Sequence, residues 1–351
     1  MASTHAAMSD VSHSVTDSEG TNFLARAHSF VTVTGVGKKN EITHMSSTEQ
    51  IAPISVVTEV EKILLGKKRQ IMLSLACILS GGHLLLEDVP GVGKTTLAKA
   101  LGRHLGLEHT RIQFTSDLLP SELIGGSIFN RETGQFHVHK GPIFTQLVIA
   151  DEINRATPRT QSALLEAMSD RSVSIEGTTY PLDEHFTVIA TQNPSSQTGT
   201  YPLPESQLDR FTMTVSLGYP DAAYEQQLYA APTSEGLPSG LEQIPGNFLT
   251  WRQSVREVHC SEELIAYLQR LVDATRVSED LTFGLSPRAG LQWLGAARAW
   301  AFIHDRDHVL PDDIQEVAMP VIRHRCTERH HYDHSATKTL EAIISNTNVY
   351  S

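Results

Sequence analysis

The segment Asp88-Val-Pro-Gly-Val-Gly-Lys-Thr-Thr96 has the residue types that wrap a polyphosphate. Gly91 and Gly93 allow a tight turn whose N–H groups converge on one anion, and a helix starting at Lys94 adds its positive dipole end. Lys94 would then reach the β- and γ-phosphates of the polyphosphate, the Thr95 hydroxyl would ligate Mg²⁺, and Pro90, Val92 and Thr96 would complete the cradle. The strict pattern has glycine where this chain has Asp88, so context must carry the assignment.

Two further segments supply that context. Leu147-Val-Ile-Ala-Asp151-Glu152 is an apolar run ending in adjacent carboxylates. At the end of a buried strand, Asp151 can hold the Mg²⁺ shell and Glu152 can polarise a water for attack on the γ-phosphate. An acidic pair capping the next helix is the plainer account, and only the phosphate loop upstream makes it the weaker one. Ala190-Thr-Gln-Asn193-Pro ends a third run in polar residues, where Asn193 would orient the attacking water or sense the γ-phosphate. The three ends meet if their strands lie side by side and parallel, because ligands bind at the carboxyl edge of such a sheet.

The elements around them fit that sheet. Strands are predicted at residues 83–87, 111–114, 146–150, 186–191 and 213–217, with helices between them, including one at 68–80 and one from Lys94 to about Leu105. Alternating strands and helices imply a parallel sheet covered on both faces, an α/β fold. Two hairpins interrupt the alternation, one from Ser127 to His139 and one from Ser172 to Leu182. Beyond Gly218-Tyr-Pro220 the pattern is helical, with candidates at 261–276, 286–304 and 311–324. Residues 1–50 are rich in Ser and Thr without sustained periodicity, the composition of a solvated tail. The division expected is a tail at 1–50, an α/β domain at 51–218 and a helical domain at 219–351.

Charge and composition exclude several classes. Lys plus Arg number 28 against 40 Asp plus Glu, a net charge of −12, which argues against grasping nucleic acid through bulk electrostatics. The mostly apolar, uncharged stretch from Ile71 to Leu86 spans 16 residues and is broken by Gly81, Gly82 and His83, too short for a membrane span. The three cysteines, Cys77, Cys260 and Cys326, are scattered and odd in number, which suits a reducing cytoplasm rather than a disulfide scaffold.

Six motifs in order carry a family resemblance: Asp88-Val-Pro-Gly-Val-Gly-Lys-Thr, Asp151-Glu-Ile-Asn-Arg-Ala, Gln161-Ser-Ala-Leu-Leu-Glu-Ala-Met, Ala190-Thr-Gln-Asn-Pro, Gly199-Thr-Tyr-Pro-Leu-Pro-Glu and Gln207-Leu-Asp-Arg-Phe. Together they resemble the MoxR ATPases of the AAA+ superclass, from about Ile51 to Arg325. That family commonly carries Asp at the position of Asp88. The resemblance implies a P-loop AAA+ sheet followed by a small all-helical lid. It implies Walker A at Lys94 and Thr95, Walker B at Asp151 and Glu152, and sensor 1 at Asn193. Arg210 matches the arginine finger that completes a neighbouring subunit's site, and Arg288 matches sensor 2 on the lid. It further implies ATP and Mg²⁺ as cofactors and a homo-oligomeric ring, expected to be a hexamer. The client would be a protein, as for relatives associated with von Willebrand factor A domain partners. The hairpin at 127–139 looks like the helix-2 insert of this clade, and the one at 172–182 like the hairpin before sensor 1.

Other constellations have plainer accounts. Arg155 and Arg159 follow the Walker B segment and rival Arg210 as the finger, with a structural salt bridge as the alternative for each. His324, Cys326, His330, His331 and His334 lie in a His-rich stretch but lack a ligand spacing on one helix face backed by acids. His137 and His139 read as surface residues on a hairpin strand, and Trp293 and Trp300, seven apart, as lid core. Three functions stay open on the sequence: an ATPase that remodels a protein, a nucleic-acid motor of the same clade, and a nucleotide-gated scaffold without useful turnover.

Overall fold

The computed structural model describes residues 52–193, 199–230, 247–329 and 336–349. The tail expected at 1–50 lies outside them, as do His330, His331 and His334. The strands in chain order are β1 (Leu84–Glu87), β2 (His109–Gln113), β3 (Gly125–Asn130), β4 (Gln135–Lys140), β5 (Leu147–Asp151), β6 (Ser172–Ile175), β7 (Thr178–Pro181), β8 (Thr187–Gln192) and β9 (Met213–Val215). Five of them form one parallel sheet in the order β2-β5-β8-β1-β9. The other four form the two expected hairpins, β3 with β4 and β6 with β7.

The central strands β1, β5 and β8 are buried almost throughout, because both faces of the sheet are covered. Alternate residues enter opposite cores: Leu84, Leu86, Leu147 and Ile149 join one cluster, and Leu85, Val148 and Ala150 join the other. Strand β2 starts at His109, two residues before the predicted start. Its parallel register, His109 opposite Leu147 through Gln113 opposite Asp151, recruits polar residues that a periodicity argument leaves out.

The helices are α1 (Pro53–Glu61), α2 (Lys68–Leu79), α3 (Lys94–His104), α4 (Pro120–Ile124), α5 (Pro158–Asp170), α6 (Glu205–Leu208), α7 (Ala222–Ala230), α8 (Asn247–Glu257), α9 (Glu262–Val277), α10 (Pro287–Ile303), α11 (Pro311–Ile322) and α12 (Thr337–Asn346). Ser261 and Ser286 cap α9 and α10, their hydroxyls accepting from the Leu264 and Ala289 N–H groups. Helix α11 opens with Pro311, and the Asp313 carboxylate accepts the Leu310 N–H at 2.7 Å. Trp293 is buried and donates its indole N–H to Ile314 O at 2.8 Å, joining α10 to α11. Helix α10 packs on α2, and α11 on β9, so the helical part closes over the sheet face that α1, α2 and α3 cover. No helix among the described residues is long and apolar enough to cross a membrane.

Candidate functional site

The phosphate loop leaves the carboxyl end of β1 and enters α3 at Lys94. Gly93, the N-cap of that helix, has φ 97°, and Gly91 has φ 87° with open space where a Cβ would stand. Asp88 explains its departure from the glycine pattern. Its carboxylate accepts the Val89 N–H at 2.8 Å, the Gly218 N–H at 2.6 Å and the Ser216 hydroxyl at 2.7 Å, stapling the start of the loop to the chain after β9. Those bonds outweigh burial and hold the carboxyl below its usual pKa.

Lys94 is 8% exposed. Its ammonium donates to Asp88 O at 2.5 Å, Val89 O at 2.8 Å and the side-chain oxygen of Asn193 at 2.9 Å. Burial lowers its pKa, while the charges of Asp88, Glu152 and Asp151 oppose that shift. The loop borders a cleft of ≈ 320 Å³ lined by Pro90, Gly91, Gly93, Lys94, Thr95, Thr96, Arg111, Gln113, Asp151, Glu152, Thr191 and Asn193. The sequence-predicted loop, carboxylates and Asn193 therefore meet at the carboxyl edge of the sheet. Val92 is the exception, its side chain packing against the apolar core.

Two carboxylates face the cleft in different settings. Asp151 is buried, and its Oδ1 accepts the Thr95 hydroxyl at 3.0 Å. Two hard oxygens held that close are the donor chemistry that Mg²⁺ takes. Glu152 follows in the left-handed region, φ 55°, a conformation that costs a non-glycine residue about 1 to 3 kcal/mol. Its N–H donates to the Thr191 hydroxyl at 3.0 Å, which helps hold the turn. The Glu152 carboxylate accepts from Gln113 at 3.0 Å, Arg155 at 2.9 Å and Asn193 at 3.4 Å. Arg155 thus forms an ion pair within its own chain, the alternative weighed for it against the finger role. Arg159 is exposed.

Sequence reasoning missed Arg111, Gln113 and Thr191. Arg111 and Gln113 sit on the edge strand β2, and their signal was alternation: two polar residues flanking the buried Ile112 on the strand next to β5.

Arg210 and Arg288 do not line this cleft. They open on a second pocket with Gly81, Gly82, His83, Met168, Ser169, Arg171, Thr212 and Gln292, and no residue lines both. Gly81 to His83 precede β1 whereas the phosphate loop follows it, so the two pockets lie at opposite ends of that strand. Among the described residues, three arginines and no carboxylate line the second pocket. His83 adds no charge, since burial pushes its pKa down to about 4 and its Nδ1 accepts the Val188 N–H at 3.0 Å. Arg210 donates to Leu165 O at 2.8 Å and to the Ser169 hydroxyl, while its buried Nε has no partner among the described residues. An arginine cluster of this kind fits an anion.

The remaining candidates fall as follows. His324 is bonded to Phe211 O at 3.0 Å, and Cys326 is buried with its thiol pushed up to about 12 by burial. Among the described residues no group of three or more His, Cys, Asp or Glu is arranged to hold a metal ion. Strand β4, with His137 and His139, is exposed along its length, and Phe129 and Phe136 pair across the hairpin at 5.2 Å between ring centroids.

Comparisons with known proteins bear on the family and the fold. Residues 83–213 match the ATPase family associated with various cellular activities (AAA), and residues 273–346 match the AAA lid domain. The chain is 42% identical to the YeaC protein of Bacillus subtilis over 285 residues, 80% of this chain and 89% of that one. It is 39% identical to "Chaperone MoxR1" of Mycobacterium tuberculosis over 83% of this chain and 79% of that one. It is 32% identical to "Protein MoxR" of Paracoccus denitrificans over 80% and 90%. A crystal structure of a candidate ATPase from Cytophaga hutchinsonii superposes with a TM-score of 0.77 at 40% identity, covering 84% of this chain and 94% of that one.

Proposed function

This chain belongs to the MoxR family of AAA+ ATPases, and on that premise we propose that it hydrolyses Mg-ATP as a ring of identical subunits and uses the cycle to remodel a protein client. In this reading the loop N–H groups and Lys94 hold the β- and γ-phosphates. Thr95 and Asp151 hold Mg²⁺, which supplies charge neutralisation on the phosphate oxygens. Glu152 takes the proton of the attacking water, and Asn193, bonded to both Lys94 and Glu152, orients that water against the γ-phosphate.

The observation that carries the ring is the separation of the two pockets. Arg210 and Arg288 open away from their own chain's cleft, on a pocket that shares no residue with it. Arginines placed so are set to serve a neighbour's site rather than their own, where they would stabilise the negative charge that builds on the transferred phosphoryl group. Both are therefore proposed to act in trans, Arg210 as the finger and Arg288 as the second sensor. A ring is the closed assembly that gives every cleft one donor, and a hexamer is the size expected. The change from strands to helices after β9 supports a nucleotide domain at 51–218 and a lid at 219–351.

A protein client accords with the chaperone name carried by the Mycobacterium relative, and a von Willebrand factor A domain partner is the first to try. The test is steady-state ATP turnover of the full chain alone, with DNA and with A-domain proteins. Stimulation by an A-domain protein supports the reading. Stimulation by DNA instead makes the chain a nucleic-acid motor, and no turnover under any condition makes it a scaffold.

A further inference from the structure

Asp151 is the most confined charge of the cleft, its side chain 3% exposed. Its two oxygens have divided tasks. Oδ1 accepts the Thr95 hydroxyl at 3.0 Å and the Thr191 hydroxyl at 3.3 Å, and Oδ2 accepts Arg111 Nε at 2.5 Å. Among the described residues Arg111 is the cation paired with this carboxylate. A carboxylate so enclosed needs a cation beside it, because an unpaired buried charge is strongly unfavourable.

Arg111 itself is not confined. It stands on the edge strand β2 with 48% of its side chain exposed, so it can leave Asp151 for water without opening the core. Its Nη2 reaches Gln113 Oε1 at 3.3 Å, and Gln113 in turn donates to Glu152. A divalent cation held between Thr95 and Asp151 would bring its charge to the same carboxylate from the other oxygen. Two cations on one carboxylate repel, so each weakens the hold of the other.

We propose that Arg111 is a built-in counter-cation that competes with Mg²⁺ for Asp151 and so sets the Mg²⁺ concentration at which the cleft takes nucleotide. This makes it a positioning residue, acting on the metal through Asp151. The inference rests on the ATPase reading above. It has a second consequence: among the described residues Arg111 and Lys94 are the two cations lining the cleft, so loss of Arg111 weakens the binding of nucleotide without metal while strengthening the response to metal.

The experiment is binding of a fluorescent ATP analogue to the full chain, titrated with Mg²⁺, in wild type, Arg111→Met and Arg111→Lys. Arg111→Met is expected to lower the Mg²⁺ half-saturation by about three- to fivefold, the range a half-exposed ion pair supports. Arg111→Lys, which keeps the charge, is expected to stay near wild type, and this rescue separates charge competition from a merely structural role. Thermal unfolding gives a second readout, in which Mg²⁺ raises the midpoint more for Arg111→Met than for wild type. An unchanged or raised half-saturation in Arg111→Met, with wild type still binding in a Mg²⁺-dependent way, overturns this inference alone. Wild type failing to bind nucleotide overturns the ATPase reading, and this inference with it.

Discussion

Arg325 and Asp209 form an ion pair, Nε to Oδ1 at 2.9 Å, that fastens the end of α11 to the loop carrying Arg210. The Arg325 side chain is 3% exposed, and its remaining donors reach Phe211 O and Gln292 Oε1 at 2.5 Å each and Thr212 O at 3.2 Å. One guanidinium thus ties the lid to Asp209, Phe211 and Thr212 of the loop and, through Gln292, to α10 beside the second pocket. It fixes the geometry in which Arg210, from the loop, and Arg288, from α10, face the same space.

Arg325→Met is therefore expected to act at a distance. Breaking the pair should cost about 3 kcal/mol of stability, the low end for a buried pair because Asp209 keeps part of its surface. Nucleotide affinity should be nearly unchanged, since the phosphate loop is not touched, while turnover falls with the displaced Arg210. Urea unfolding and equilibrium nucleotide binding check the two halves separately.

Lys94→Ala is expected to abolish nucleotide binding, because the phosphates lose their direct cation and the loop carbonyls of Asp88 and Val89 lose the ammonium that draws them together. Calorimetry with ATP reads this directly, and undiminished affinity removes the phosphate-loop assignment.

Glu152→Gln should bind Mg-ATP and hydrolyse it slowly, with a loss of about 10²-fold or more for the missing proton acceptor. The amide keeps the shape and can still meet Gln113 and Asn193. Single-turnover kinetics measures the step, and wild-type rates in this variant would move the role to another group.

Asp88 gives the pH dependence. Burial pushes its pKa up, but bonds from Gly218, Ser216 and Val89 outweigh burial and hold it low. A carboxyl whose folded pKa lies below its unfolded value adds stability above the unfolded value and loses it as pH falls through the folded one. The window is thus below about pH 4. Asp88→Asn should be less stable than wild type at neutral pH, and the gap should narrow as pH falls through that window. Urea midpoints across the acid limb measure it; a gap constant with pH would contradict the assignment.

The legible part of this molecule was local. The phosphate loop, the Asp151-Glu152 strand end and Asn193 announce themselves because each is a short run whose backbone dictates where the side chain points, and a parallel sheet brings such ends to one edge. The second pocket was not legible in the same way. It joins Gly81 before β1, Arg171 after α5, Arg210 beyond α6 and Arg288 on α10, residues far apart in the chain, and packing of the helical part on α2 and β9 brings Arg288 to the others. Arg171 gave no motif at all. Arg111 and Gln113 were overlooked because polar residues on an edge strand look like ordinary surface until the register sets them opposite Ile149 and Asp151. Helices α7, α8 and α12 were missing from the named candidates, as they lie beyond the clear Ser-opened pattern of α9 and α10.

The central claim, that each cleft is completed by a neighbour's arginine, is tested most directly by mixing two inactive variants. Arg210→Ala keeps its own loop and should bind ATP normally, yet lose about 10³- to 10⁵-fold in turnover, as for fingers in related phosphate-loop enzymes. Lys94→Ala keeps its own Arg210 but cannot bind nucleotide. In a mixed assembly, an intact arginine on a Lys94→Ala subunit can serve the intact loop of an Arg210→Ala neighbour. The account predicts ATP turnover in the mixture above that of either variant alone. Normal turnover by Arg210→Ala on its own would contradict it.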